Sequence, residues 1–121
     1  MITFPEGKTV YFDVDDTLVL WDQPIDETSF LFNLTGNPKY GVWLKPNTNI
    51  TNKVKIFKQC GYCVVVWSQS GPEWAEGIVK QLGLVDYVDL VIAKPFYHYD
   101  DRPCTEWMGN YRFPHTKKED K

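Results

Sequence analysis

No stretch of this chain approaches the length of about 20 apolar residues that a membrane-spanning helix needs, and membrane insertion is not expected. A basic start followed by a long apolar stretch is also missing. Met1-Ile2-Thr3-Phe4-Pro5 does not read as a signal peptide, and an intracellular, cytoplasmic location is the expectation. Cysteine is scarce, at three in 121 residues, which excludes a disulfide framework. Cys60-Gly61-Tyr62-Cys63 has redox or zinc spacing. With no second pair and no helix opening directly after Cys60, it is expected to hold two buried, reduced thiols. There is no excess of positive charge. A formal net charge of −3 provides no bulk attraction to nucleic acid, although it leaves room for a local basic patch. Repeats, low-complexity tracts and interdomain linkers are absent. One domain over 1–114 is expected, too short for a catalytic domain plus a sizeable lid, with 115–121 a frayed, solvated tail.

What is present alternates between two periodicities. Residues 8–13 and 62–67 read as strands, the second with three consecutive valines, as in a parallel sheet buried on both faces. Between them 49–60 supplies a helix, with Ile50, Val54, Ile56 and Phe57 at roughly helical spacing. Thr48 or Thr51 is its candidate cap and Gly61 its left-handed terminator. Ser70-Gly71-Pro72-Glu73 looks like a cap with proline just inside the start. Trp74, Ile78, Val79 and Leu82 follow on one face, and Gly83 ends the helix. A third strand is expected over 87–93, shorter ones over 96–100 and 111–113, and a helical turn within 103–108. The segment 19–45 is broken by Pro24, Gly36-Asn37-Pro38 and Gly41 but stays apolar, as a β-hairpin flap or a small irregular lid would. The alternation argues an α/β fold with a mainly parallel sheet, in which ligands gather at the carboxyl ends of strands.

At the first of those ends stands Asp13-Val14-Asp15-Asp16-Thr17. Carboxylates two apart point to opposite faces of a continuing strand, so a turn after Asp13 is needed to bring both onto one target. One carboxylate is then free to attack and the next to shuttle a proton. Crowded carboxylates repel each other and a phosphate, which calls for a hard divalent cation with oxygen ligands, best met by Mg²⁺. Three further polar clusters each follow an apolar strand: Ser68, then Lys94, then Asp100-Asp101.

In that order the motifs resemble the haloacid dehalogenase-like (HAD) phosphohydrolase superfamily: Asp-x-Asp-x-Thr, a strand ending in Ser or Thr, a lysine followed by proline, and a late acidic pair. The resemblance covers about residues 8–113. It implies a Rossmann-like, mainly parallel sheet flanked by helices, with 19–45 as flap or minimal cap and no large cap domain. It implies a Mg²⁺-dependent phosphatase, a phosphoric monoester hydrolase, in which Asp13 forms an aspartyl-phosphate and Asp15 protonates the leaving group and later activates water. Asp13 and Asp15 would also bind the metal, Asp15 through its backbone carbonyl, Asp100 and Asp101 would complete the metal shell directly or through water, and Thr17 would fix the turn and help bind the substrate. Ser68 would hydrogen-bond the phosphate beside the amino terminus of the Pro72 helix, and Lys94 would balance the charge. The sequence departs from the family's pattern at Asp16, where many members carry Gly.

Plainer roles stand beside these. Ser70 is close enough to take the phosphate role or merely to cap the helix. Lys80 is the alternative cation, His98 a packed or surface residue rather than a metal ligand, and Arg102 either a distal phosphate contact or a surface partner for Asp101 or Glu106. Trp21, Tyr40 and Trp43 either stack a nucleobase or belong to the core. A receiver-like domain is disfavoured because no aspartate ends 62–67. The motif layout is similar to the phosphatase domain of polynucleotide kinase/phosphatases, which makes a nucleotide or a nucleic-acid 3′-phosphate the leading substrate expectation. A phosphoprotein phosphatase and a phosphorylatable or non-catalytic HAD-like binding module are the alternatives. Resemblance to family members with little cap implies either a large substrate, such as a nucleic-acid end or a phosphoprotein, or a site closed by oligomerisation.

Overall fold

In a computed structural model, residues 8–109 are described. The expected strand at 111–113 and the tail at 115–121 lie outside them. In chain order the elements are β1 (Thr9–Asp13), β2 (Val19–Leu20), β3 (Phe30–Phe32), β4 (Val42–Pro46), α1 (Thr48–Gln59), β5 (Cys63–Ser68), α2 (Pro72–Gln81), β6 (Leu90–Ala93) and α3 (Cys104–Trp107). The molecule is a small α/β protein whose main sheet has three parallel strands in the order β1-β5-β6.

Both crossovers step in the same direction across that sheet, so right-handed connections carry α1 and α2 to the same face. The core confirms it. Ile50 and Val54 of α1 and Ala75, Ile78 and Val79 of α2 share one cluster with Phe12, Val64 and Val66 of the sheet. Val65 and Cys63, which alternate to the other face, are buried but lie outside that cluster. That second face carries Tyr11 against Trp67, ring centroids 4.4 Å apart, with Leu90 and Ile92 exposed beside them. The helices therefore flank one face of the sheet among the described residues, rather than both.

Helix α1 buries Ile50 and Val54 but leaves Ile56 exposed, because residue 56 is out of step with the 50/54 stripe. Its N-cap is Asn47 rather than Thr48 or Thr51, and no side chain closes it. Gly61 does adopt the left-handed conformation after it, at φ 88°, which a β-carbon would resist. The region expected as 87–93 divides into a 3₁₀ turn, Val85–Tyr87, and the shorter β6. No strand forms over 96–100; this stretch is irregular, with Phe96, Tyr97 and Tyr99 exposed.

Residues 19–46 contain a hairpin, β3–β4, and extend it with a third strand. They build a second, antiparallel sheet of order β2-β4-β3. The long excursion from β2 to β3 is tied down at Asp26, which accepts the backbone N–H (2.8 Å) and hydroxyl (2.6 Å) of Thr28 and pairs with Lys45 (2.9 Å). These contacts hold its carboxyl well below the usual range. Among the described residues no helix is long and apolar enough to cross a membrane.

Candidate active site

The turn at the end of β1 is built on a single carbonyl. Val14 O accepts the N–H groups of Thr17, Leu18 and Val19 at 2.9 to 3.2 Å, curling the chain back on itself. That curl places Asp16 at φ 60°, a left-handed conformation that Asp tolerates better than most side chains because it bonds locally. Here its Oδ1 accepts the Trp21 N–H at 3.1 Å. The aspartate at this position thus closes the loop, and the φ value also accounts for why glycine would suit it.

Register decides which cation meets Asp13. Asp13, Trp67 and Ile92 lie side by side in the parallel ladders, and a residue two beyond Ile92 returns to their face. That residue is Lys94. Its N–H continues the ladder to Ser68 O (3.0 Å), and its Nζ passes over the Trp67 ring (6.0 Å to the centroid) to within 3.1 Å of Asp13 Oδ1. Thr17 donates its hydroxyl to Asp13 Oδ2 at 3.3 Å. The pair stays accessible, with Asp13 34% and Lys94 30% exposed. Lys80, the alternative cation, pairs instead with Glu76 on the solvent face of α2.

Asp15 is held differently. Its Oδ1 accepts two indole N–H groups, from Trp21 at 2.9 Å and from Trp74 at 3.2 Å, and its Oδ2 receives the Ser70 hydroxyl at a long 3.4 Å. Ser68 is fully buried, its hydroxyl oxygen accepting the Ser70 N–H at 3.0 Å, while Ser70 itself is exposed. Of the two serines, the one presented beside Asp15 is Ser70. Gly71, at φ 102°, then turns the chain into α2 with Pro72 in its first turn.

Asp13, Asp15, Thr17, Ser68, Ser70 and Lys94 are therefore drawn together at the carboxyl end of the sheet. Asp100 and Asp101 are not joined to them by any hydrogen bond or ion pair among the described residues. Both are exposed in the segment after β6. Contact with Asp101 and the Arg102 N–H (3.1 Å) hold the Asp100 carboxyl below its usual range. His98 is exposed, with its ring edge-on to Trp107. Among the described residues no three His, Cys, Asp or Glu side chains are grouped to hold a metal. Magnesium, however, accepts one or two carboxylates and fills its remaining positions with water and substrate phosphate. The hard oxygens of Asp13 and the adjacent turn fit an ion bound in that way.

The two indole donors and the exposed Ser70 are the features that sequence reasoning missed or ranked low. Trp74 falls on the apolar stripe of its helix, yet its place in the first turn after a strand end also sets a polar-tipped ring over the site. Trp21 turns inward to Asp15, while Trp43 of β4 and Tyr40, in the 3₁₀ turn Pro38–Tyr40 before it, stay exposed.

No protein-family model, no curated protein and no solved structure matches this chain.

Proposed function

We propose that this protein is a HAD-like phosphomonoester hydrolase that works through an aspartyl-phosphate on Asp13. The observation that carries the reading is the meeting of Lys94 with Asp13 at 3.1 Å, across an intervening strand, beside a second aspartate on the same turn. An aspartate nucleophile facing a phosphate dianion needs fixed positive charge at that point.

A carboxylate oxygen of Asp13 attacks phosphorus, and the bond to the leaving oxygen breaks as that oxygen takes a proton from Asp15. Asp15, now a carboxylate, removes a proton from water, the hydroxide attacks the aspartyl-phosphate, and inorganic phosphate leaves with Asp13 restored. Lys94 balances the charge on nucleophile and phosphoryl group throughout. Thr17 holds the turn that sets Asp13 and Asp15 side by side. Buried Ser68 shapes the β5–α2 turn, and the hydroxyl facing the phosphoryl oxygens falls to Ser70. A magnesium ion bound by the Asp13 carboxylate and the Asp15 carbonyl, with Asp100 or Asp101 reached through water, would supply neutralisation of the phosphate charge. The substrate class is a nucleotide or a nucleic-acid 3′-phosphate, on motif layout alone, and the cytoplasm is the proposed location.

One observation favours a second reading, a HAD-like module that binds or accepts phosphate without turning it over: no third carboxylate joins Asp13 and Asp15 among the described residues. A single experiment separates the two. Mg²⁺-dependent phosphate release is measured from nucleoside monophosphates, 3′-phosphorylated oligonucleotides, sugar phosphates and phosphopeptides, with Asp13→Asn alongside. Release by the wild type that falls to background in a folded Asp13→Asn supports the hydrolase. Equal rates in both remove Asp13 as nucleophile, and a stable phosphoenzyme without release establishes the module.

A further inference from the structure

Two indole N–H groups converge on one oxygen of Asp15. The Trp21 and Trp74 rings lie 6.2 Å apart and nearly parallel, at 26°, with both N–H groups on that one oxygen. Both residues are tied to neighbours. Trp74 meets the edge of Phe32 at 5.0 Å, Phe32 is itself buried, and the Trp21 backbone is fastened to Asp16 at 3.1 Å. The three rings come from different places: Trp21 just after β2, Phe32 in β3 and Trp74 in α2.

An indole is a donor only; it neither accepts a proton nor carries charge. Two of them on one carboxylate oxygen therefore have no part in moving protons. They set the rotation of the carboxylate, leaving Oδ2, approached by Ser70 at 3.4 Å, as the oxygen turned to other partners. Side chains locked by packing hold such a geometry more closely than mobile ones do.

We infer that Trp21 and Trp74 are positioning residues that clamp Oδ1 of Asp15 and aim its Oδ2 at the reacting group, which makes the second sheet part of the site's framework rather than a separate flap. The contact stands on the structure alone, and its consequence for turnover rests on the hydrolase reading above.

The test has two arms. In ¹H–¹⁵N spectra of the full chain, the indole N–H signals of Trp21 and Trp74 should move in Asp15→Ala, while those of Trp43, Trp67 and Trp107 should stay. Trp→Phe variants assign the five signals. Should Asp15→Ala fail to fold, hydrogen exchange in the wild type decides, because the Trp21 and Trp74 N–H groups must exchange more slowly than those of half-exposed Trp43 and Trp107. In the second arm, Trp21→Phe and Trp74→Phe keep the ring and lose the donor. Each should lower kcat about 10-fold, with the double variant lower still and KM nearly unchanged, as expected for loss of hydrogen bonds to a charged group; Trp107→Phe is the control. Unmoved indole signals, or a double variant with wild-type kcat, overturn the inference. Moved signals in a protein that hydrolyses nothing uphold the clamp and remove the hydrolase reading.

Discussion

Ser68 and Ser70 show how much two neighbouring hydroxyls differ once burial is known. Ser68 has no exposed surface and accepts the Ser70 N–H. Replacing it with alanine removes the acceptor of that part-buried hydrogen bond, at a cost of about 0.5–1.5 kcal/mol. Ser70 is exposed and reaches Asp15 only at 3.4 Å, so Ser70→Ala should change stability by less than about 0.5 kcal/mol while lowering kcat. Urea unfolding together with phosphate release checks both. A Ser68→Ala protein of wild-type stability would contradict the assigned role, and so would Ser70→Ala with unchanged kcat. The sequence offered both serines at the strand end without deciding between them, because a hydroxyl's partner depends on which side of the turn faces the core. Asp16 is a second case: its left-handed backbone follows from the three N–H groups converging on Val14 O, a contact set that residue type alone does not reveal.

The helices were the most legible elements. The 3.6-residue stripe located α1 and α2 to within a residue or two, because burying one face of a helix demands that spacing. A hairpin is one of two readings of 19–45, and β3 and β4 form one; that β4 also pairs with β2 was not legible, because pairing partners distant in sequence leave no local periodicity. Gly77 marks where α2 meets that second sheet. A β-carbon there would come within 2.6 Å of the Phe32 ring and 3.1 Å of Leu34 Cδ2. Gly77→Ala improves helix propensity by about 1 kcal/mol, yet forcing extra volume into a packed contact costs about 1–3 kcal/mol. The clash should win because Phe32 is buried and already meets Phe30 and Trp74 edge-on. Net destabilisation is expected in thermal or urea unfolding; a more stable variant would mean that Phe32 has room to move.

Asp89 links three parts of the whole molecule. It pairs with Lys58 of α1 at 2.6 Å and accepts the Val64 N–H of β5 at 2.8 Å, immediately before β6 begins. Burial opposes its ionisation, but the Lys58 and Val64 hydrogen bonds outweigh burial and hold the carboxyl below its ordinary value of 3.8. A carboxyl whose folded pKa is depressed contributes stability above the unfolded value and loses it as pH falls through the folded one. Urea midpoints should therefore decline below about pH 4, and Asp89→Asn should flatten that decline while costing about 1 kcal/mol near neutrality. A decline of equal steepness in the variant would place the acid sensitivity elsewhere. Cys63 carries the opposite sign. Burial first, and then the Asp89 charge, push its thiol above 9.0, so its contribution is present below that value and is lost as pH rises through the folded one. It is a free, buried thiol, while Cys60 is exposed.

The order of apolar and polar runs was sufficient by itself to determine an α/β chain with a parallel sheet, two helices of known face and an acidic turn at the end of the first strand. Those features depend on local periodicity and on the turn chemistry of neighbouring residues, which one dimension records. Tertiary structure alone decided that Lys94 rather than Lys80 meets Asp13, that both helices cover one face, and that Trp21 and Trp74 grip Asp15. Each of these depends on the register between distant strands or on which side a crossover returns, and such long-range geometry is set only when the whole core packs at once.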